Sequence, residues 1–181
     1  MGYRHTKEEI LEGALAVAID DGLSQLSYGR VARRLGISDR IVVYYFPSKE
    51  DLVSEVLVAV GMQLQQALEP AFTSPAEDHL ELVEAAWPIM GRAEAAAVFA
   101  LFLEANGLAA SGRDPYRTLV PQLVDAWITW AAGYIHGTPT RRRTEAETAI
   151  ALLDGLLLLR QMAGGAAADR AAKRLGVSTR S

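Results

Sequence analysis

Apolar residues recur at spacings of three and four along almost the whole chain, which is the period of amphipathic α-helices. The first stripe follows Thr6 and Glu9, a pair whose spacing is that of a capping box, and it stops at Gly22. Its members are Ile10, Leu11, Ala14, Leu15, Ala18 and Ile19. No segment shows the strict alternation of a half-buried strand. The pattern therefore predicts an all-α protein.

Two short helices and the start of a third are predicted within residues 27–52, SYGRVARRLGISDRIVVYYFPSKEDL. Ser27 is the expected cap of a helix that Gly36 stops in the left-handed conformation. Ser38 is the expected cap of a second helix, which ends near Phe46. This is the layout of a helix-turn-helix, a motif that places its second helix in the major groove of DNA.

The remaining segments also predict helices, with capping signals at several starts. The expected capping boxes pair Ser48 with Asp51, Ser74 with Glu77, and Thr144 with Glu147. Residues 95–103 are apolar on all sides, which is typical of a helix buried in a bundle, and residues 141–143 are expected to form a basic loop. We therefore predict an N-terminal three-helix helix-turn-helix DNA-binding domain (1–47) and a C-terminal antiparallel helical bundle for ligand binding and dimerisation (48–181).

The distribution of charge supports this division. The chain carries a formal net charge of −4, yet residues 30–49 contain five basic residues and one acid, a local balance of +4. From residue 51 to the end, 11 basic and 15 acidic residues give −4. A basic reading head on an acidic body is expected of a DNA-binding protein with a separate second function.

Composition excludes several other classes. The chain has no Cys, which rules out disulfides, zinc–thiolate sites and Cys nucleophiles. The three His are scattered without metal-ligand spacing, and no P-loop, G-x-G-x-x-G, H-E-x-x-H or G-x-S-x-G motif is present. The start of the sequence lacks an apolar signal core, and the longest uncharged stretch, 126–140, is too short to span a bilayer. We expect a cytoplasmic protein that is not an enzyme, needs no metal or cofactor, and has no membrane partner.

The segment LGISDRIVVYYFPSKEDLV resembles the helix-turn-helix signature of TetR-type bacterial transcriptional regulators. The matching residues are Ala32, Gly36, Ser38, the pair Tyr45-Phe46, and Ser48-Lys49-Glu50 with Leu52. The resemblance covers about residues 6–60 and continues weakly in ALLDGLLL at 151–158. It implies a homodimer in which each subunit has an N-terminal DNA-binding domain and a variable helical domain. That second domain binds a small molecule and so releases the DNA.

DNA contacts are expected mainly from the start of the second short helix. Arg40 could form two hydrogen bonds with guanine, and Asp39 could accept one from a cytosine amino group. Alternatively, Arg40 is solvated or bound to phosphate, and Asp39 only favours the helix dipole. The resemblance implies a phosphate contact at Lys49, whereas at position 43 the Tyr frequent in the family is replaced by Val. The full set of candidate positions is Ser27, Arg30, Ser38, Asp39, Arg40, Val43, Tyr44 and Lys49.

Aromatic residues of the second half suggest a pocket between helices, although ordinary core packing is the alternative for each of them. The candidate ligand-binding residues are Trp87, Phe99, Phe102, Glu104, Trp127, Trp130 and Tyr134. The last two long helices carry more apolar surface than one bundle face can bury, which favours a dimer interface over a central buried helix. The candidate interface residues are Leu123, Leu152, Leu153, Gly155, Leu156 and Leu159.

Together these features predict a dimeric transcriptional regulator, a repressor that binds double-stranded DNA at a palindromic operator and is released by a small-molecule effector. The alternative is a helical ligand- or partner-binding protein whose helix-turn-helix has drifted and no longer binds an operator. Asp39 and Val43 are the residues that favour this alternative.

Overall fold

The computed structural model describes residues 5–177, and over this range it is all-α, as the sequence predicts. The helices, numbered in chain order, are α1 (Lys7–Asp21), α2 (Tyr28–Leu35), α3 (Asp39–Tyr45), α4 (Lys49–Leu68), α5 (His79–Met90), α6 (Ala93–Ala110), α7 (Tyr116–Ala132), α8 (Pro139–Ala163) and α9 (Gly165–Arg174). Short 3₁₀ turns follow α1 and α4. The β-structure of the described range is one isolated bridge, between Ala76 and Ile135.

The chain divides into two compact units. The first comprises Met1–Gln63 and Ala97–Pro121, and the second comprises Leu64–Ala96 and Gln122–Ser181. Each unit therefore contains two separate stretches of sequence. The functional boundary expected after residue 47 stays a prediction.

In the first unit, α1 begins as its sequence predicts. The Thr6 hydroxyl accepts a hydrogen bond from the Glu9 N–H, and the Glu9 carboxylate accepts one from the Thr6 N–H. Gly13 lets α2 approach α1 closely, because a Cβ there would lie 2.8 Å from the Leu35 side chain. A larger residue at position 13 would therefore require the Leu35 side chain to move.

The turn between α2 and α3 depends on Gly36. Its φ of 66° and ψ of 32° are left-handed, a conformation that costs little only without a Cβ. The Ile37 N–H then donates to the Ala32 carbonyl, which closes the helix end. The buried core of this region contains Ile10, Ala14, Val31, Ala32, Val42, Phe46, Leu52 and Val56. Each large side chain in it contributes roughly 1.5–3 kcal/mol through burial. Leu35, Ile37 and Ile41, which spacing also predicts as core, are only half-buried.

The predicted start of α5 is wrong by four residues. Ser74 is not the cap; instead the Asp78 carboxylate accepts hydrogen bonds from the N–H groups of Leu80 and Glu81. Ala76 cannot join the helix, because its backbone pairs with the chain near residue 135: it donates to the Tyr134 carbonyl. Residues 74–77 are therefore a linker to the helix.

The predicted start of α8 is also wrong. The helix begins at Pro139, with the Thr138 hydroxyl accepting from the Arg141 N–H, so residues 141–143 are helical and not a loop. Thr at the cap followed by Pro at the first helical position is a strong start signal, because Pro has no N–H to leave unpaired there. Thr144 and Glu147 lie inside the helix.

Helix α6 is, within residues 5–177, the one helix long and apolar enough to cross a membrane by length and composition. Its Glu104 carboxylate, however, accepts hydrogen bonds from the backbone N–H groups of Leu23 and Ser24, both at 2.8 Å. A charged side chain bonded in this way belongs to the packing of the first unit. Expected burial on all sides is not seen: within 95–103, only Ala95, Phe99 and Leu101 are buried.

Candidate functional site

The outward face of α3 has the character of a recognition surface. Asp39, Arg40, Val43 and Tyr44 are all exposed, and their spacing places them on one side of the helix. Tyr44 is 62% exposed, and its ring lies edge-on against that of Tyr45 at 5.0 Å. The opposite side is anchored, since Val42 and Phe46 are fully buried. The helix thus offers two charged and two uncharged side chains, and its opposite side is fixed in the core.

Arginines of α2 are held by acids at the end of α1. Arg30 donates to the Asp21 carboxylate at 2.8 Å and to the Gln25 side chain at 2.9 Å. Arg34 is paired with Asp20 at 2.7 Å. A DNA contact by Arg30, as predicted, would have to compete with these partners. Of the basic residues predicted to contact DNA, Arg30 is therefore the most constrained.

Three further predicted DNA contacts sit at helix starts. Ser27 is the cap of α2, with its hydroxyl accepting from the Arg30 N–H, so the capping role is present. Ser38 precedes α3 but forms no side-chain capping bond. Lys49 is exposed at the start of α4, just after Ser48, which exchanges hydrogen bonds with Asp51 as predicted. A phosphate contact at each of these positions stays a prediction.

Sequence reasoning missed Tyr28, the first residue of α2. Its hydroxyl is buried and has no hydrogen-bond partner among the described residues. Burial raises its pKa, and the carboxylates of Glu50 and Asp51 raise it further, so the phenol stays neutral. Nothing in the spacing of this residue distinguishes it from an ordinary core aromatic.

In the second unit, Trp127, Trp130 and Tyr134 form an aromatic cluster, which we call the α7 cluster. Ring centroids lie 5.3 Å apart for the two Trp and 5.1 Å apart for Trp130 and Tyr134. Phe72, which sequence reasoning missed, joins it at 4.8 Å from Tyr134. The Tyr134 hydroxyl donates a hydrogen bond to the Glu69 carboxylate. Burial raises the pKa of Tyr134, and the nearby negative charge of Glu69 raises it further.

A cavity of about 340 Å³ lies beside Phe72 in the same unit. Its other lining residues come from the segment 71–76 and from α5, and they include the carboxylates Glu81 and Glu84. The cavity is large enough for a small organic molecule. It gives this part of the second unit a space that an effector could occupy.

The other predicted ligand residues are placed differently. Trp87 is 2% exposed and has the Arg160 guanidinium stacked on its ring at 4.7 Å, which is a packing role. Phe99 and Phe102 belong to the first unit, with ring centroids 6.3 Å apart. Glu104 is in that unit too, and both its carboxylate oxygens are occupied by backbone N–H groups. This geometry gives Glu104 a capping role and no support for ligand binding.

The predicted interface residues of α8 are unequally exposed. Leu156 is 3% exposed, so it is buried within its own chain and has little surface to offer a partner. Leu158 and Met162, at 41% and 78%, are exposed instead. With the exposed Ala151 and Gly155 they form a stripe at spacings of four, three and four, the repeat of helix pairs. Leu123, Leu152, Leu153 and Leu159 are half-buried.

Asp154 lies beside this stripe and was not predicted to matter. Burial raises the pKa of its carboxyl from 3.8 to about 6. No hydrogen bond or ion pair to its side chain is found among the described residues. A carboxyl without a partner in an apolar setting is expected to prefer its neutral form.

Comparison with known proteins identifies the first unit's helix-turn-helix. Residues 10–56 match the family model of bacterial regulatory proteins, tetR family, which confirms the resemblance seen in the sequence. No curated protein sequence matches the chain significantly.

Solved structures share the fold over nearly the whole chain. A TetR transcriptional regulator from Legionella pneumophila has a TM-score of 0.67 at 20% identity, covering 97% of both chains. The multidrug binding protein EbrR, complexed with proflavin, has a TM-score of 0.68 at 21% identity, covering 93% of this chain and 96% of that one. A protein from Saccharomonospora viridis in complex with choline has 0.63 at 21%, covering 94% and 93%.

Proposed function

We propose, from the match of residues 10–56 to the family model of bacterial regulatory proteins, tetR family, that this chain is a ligand-responsive transcriptional repressor. It binds a palindromic operator as a homodimer, and a small-molecule effector releases it. The observation that carries the proposal is the exposed face of α3, presented after a left-handed Gly36 turn on a buried base. That is the geometry by which a recognition helix reads base edges.

Arg40 is assigned to base reading and Lys49 to a phosphate. Arg40 is exposed near the start of α3, the end of a recognition helix that reaches the bases, and its planar fork matches the two acceptors of guanine. Lys49 is exposed at the start of α4 and would fix position without reading sequence. Ser27, Ser38, Asp39, Val43 and Tyr44 complete the proposed surface.

Two half-sites require two recognition helices, which is the reason for proposing a dimer. The exposed stripe of α8, with Leu123, Leu152, Leu153 and Leu159 at its sides, is proposed as the interface. An apolar stripe of this kind is stabilised when a second copy covers it.

The effector is proposed to bind near the α7 cluster and Phe72. Support comes from the cavity beside Phe72 and from structural neighbours that hold proflavin or choline. Effector binding would favour a dimer in which the spacing of the recognition helices no longer matches successive major grooves. Helix α4 is the proposed lever, because it contains residues of both units. Its residues up to Gln63 belong to the first unit, and those from Leu64 belong to the second.

Selection of the purified chain against a random pool of duplex DNA, with sequencing of the bound fraction, tests the proposal. We expect enrichment of an inverted repeat, with binding that weakens as salt rises. Absence of enrichment at low salt would contradict operator binding. It would favour instead a ligand- or partner-binding protein whose helix-turn-helix has diverged and no longer binds an operator.

A further inference from the structure

A second cavity of the second unit lies between the end of α7 and the start of α8, and the proposed function makes no use of it. Its volume is about 250 Å³. It is lined by Thr129, Ala132, Gly133, Pro139, Arg142 and Arg143. The volume is below the range of about 300–1,000 Å³ that drug-sized ligands occupy, so a ligand here would be small.

Arg142 is the unusual member of this lining. Its Nε is buried and has no hydrogen-bond partner, and no ion pair or hydrogen bond of its guanidinium is found within residues 5–177. Its neighbour Arg141 is, by contrast, bonded to the backbone carbonyls of His136 and Glu77 at 3.0 and 2.7 Å. The Nε atom is shielded from the cavity. The two Nη atoms, by contrast, are neither buried nor bonded to a described residue, so they are open to an acceptor that enters the cavity.

The charge of the second lining arginine is already balanced. Arg143 pairs with Asp125 at 2.7 Å and with Glu147 at 3.0 Å, and these carboxylates raise its pKa. Arg142 therefore supplies the one uncompensated cation of the described lining. This favours a ligand with a single negative charge over a polyanion such as a nucleotide.

The other walls define the rest of the ligand. Ala132, Gly133 and Pro139 are small and apolar, and Thr129 adds one hydroxyl. The start of α8 lies at the cavity through Pro139, and the dipole of a 25-residue helix favours an anion at this end. An apolar surface next to one arginine fits a flat apolar body that carries a carboxylate, because the guanidinium can bind a carboxylate through two parallel hydrogen bonds.

We propose that this cavity is a binding site for a small organic monocarboxylate, with Arg142 as its anchor. The site goes beyond the proposed regulator function and does not rest on DNA binding. A carboxylate bound to the Nη atoms of Arg142 balances the charge of the guanidinium, and the apolar body of the ligand covers the walls from α7 and α8.

Isothermal titration of the full chain with benzoate, in the absence of DNA, tests the site. We expect saturable binding of one benzoate per chain, at least tenfold weaker in Arg142→Gln and unchanged in Arg170→Gln, an exposed arginine of α9. Arg142→Lys, which keeps the charge but loses the fork, should bind with intermediate affinity. It also keeps the test valid if the Gln variant fails to fold.

Three results would overturn the site. The first is no saturable benzoate binding, or equal binding by wild type and Arg142→Gln. The second is tighter binding of inorganic phosphate than of benzoate, which would contradict the assigned ligand class. The third is a change of oligomeric state in Arg142→Gln, by sedimentation, with no loss of benzoate affinity; an acid of a second copy would then be the partner of Arg142.

Discussion

Single side chains of α3 divide into buried ones that hold the helix and exposed ones that we propose to contact DNA. Val42 and Phe46 fix the helix, whereas Asp39, Arg40 and Tyr44 face outward and contribute little to the core. Replacement of an outward residue should therefore change DNA affinity without changing the stability of the fold. Replacement of the buried Val42 or Phe46 would instead change the stability of the fold.

Arg40→Ala is expected to lower operator affinity by about 1–3 kcal/mol, because a fork to guanine is lost. Fluorescence anisotropy with the selected operator measures the affinity, and thermal unfolding checks the fold. Arg117→Ala, which removes another exposed arginine, is the control and should bind as wild type does. Equal affinity of Arg40→Ala and wild type would remove Arg40 from the proposed interface.

Asp154 makes stability depend on pH. The folded chain keeps this proton up to about pH 6, whereas the unfolded chain releases it near 3.8. The folded state therefore binds more protons between these values, so its stability is greatest below the lower pKa and falls as pH rises through the upper one.

Asp154→Asn should remove this loss of folding stability at higher pH. We expect the variant to be more stable than wild type by about 1–3 kcal/mol above pH 6, with a difference that shrinks toward pH 4. Urea unfolding of both proteins across this range measures it. Parallel curves for the two proteins would show that burial does not disfavour the ionised carboxylate.

At the scale of elements, a capping sequence sets the first residue of a helix only where the backbone is not already hydrogen-bonded to another segment. Ser74 to Glu77 has the spacing of a capping box, but the bridge between Ala76 and Ile135 holds that segment extended. The cap falls to Asp78, whose carboxylate accepts two N–H groups.

Asp78→Ala is accordingly expected to destabilise the chain by about 1 kcal/mol, within a range of 0.5–2. Ser74→Ala, at the position that the sequence alone favours as cap, should change stability much less. Chemical unfolding of the two variants side by side measures both. A larger loss in Ser74→Ala would mean that the cap of α5 is at residue 74.

Local signals sufficed for much of the fold and failed where distant backbone took part. The caps at Thr6 and Ser48 and the Gly36 turn depend on residues within five positions, so the sequence predicts them correctly. The role of Glu104 could not be predicted, because its partners are about 80 positions away. The same holds for Leu156, whose burial depends on helices that spacing cannot identify.

At the scale of the whole molecule, a protein that binds two half-sites must hold its two subunits at a fixed spacing. The stripe of Ala151, Gly155, Leu158 and Met162 is the surface that we assign to this task. A charge buried there without a partner would oppose association.

Leu158→Glu is expected to weaken dimerisation at least tenfold and operator binding with it, because the added carboxylate must be desolvated in the interface. Sedimentation over a concentration series measures the first effect. Gln161→Glu adds the same charge at an exposed position of the same helix and serves as the matched control. A dimer as tight in Leu158→Glu as in the control would exclude this stripe.

The carboxylate of Glu104 bears on the building of hybrid regulators. It caps the backbone at Leu23 and Ser24 from a helix that lies far along the chain, within the same compact unit. Joining residues 1–47 to the C-terminal domain of another protein would leave these two N–H groups without Glu104 as their acceptor. They would then depend on whichever side chain of the new domain lies nearby. A transplanted head should therefore carry its α6 segment with it, so exchange between such proteins is better planned by three-dimensional unit than by position in the gene.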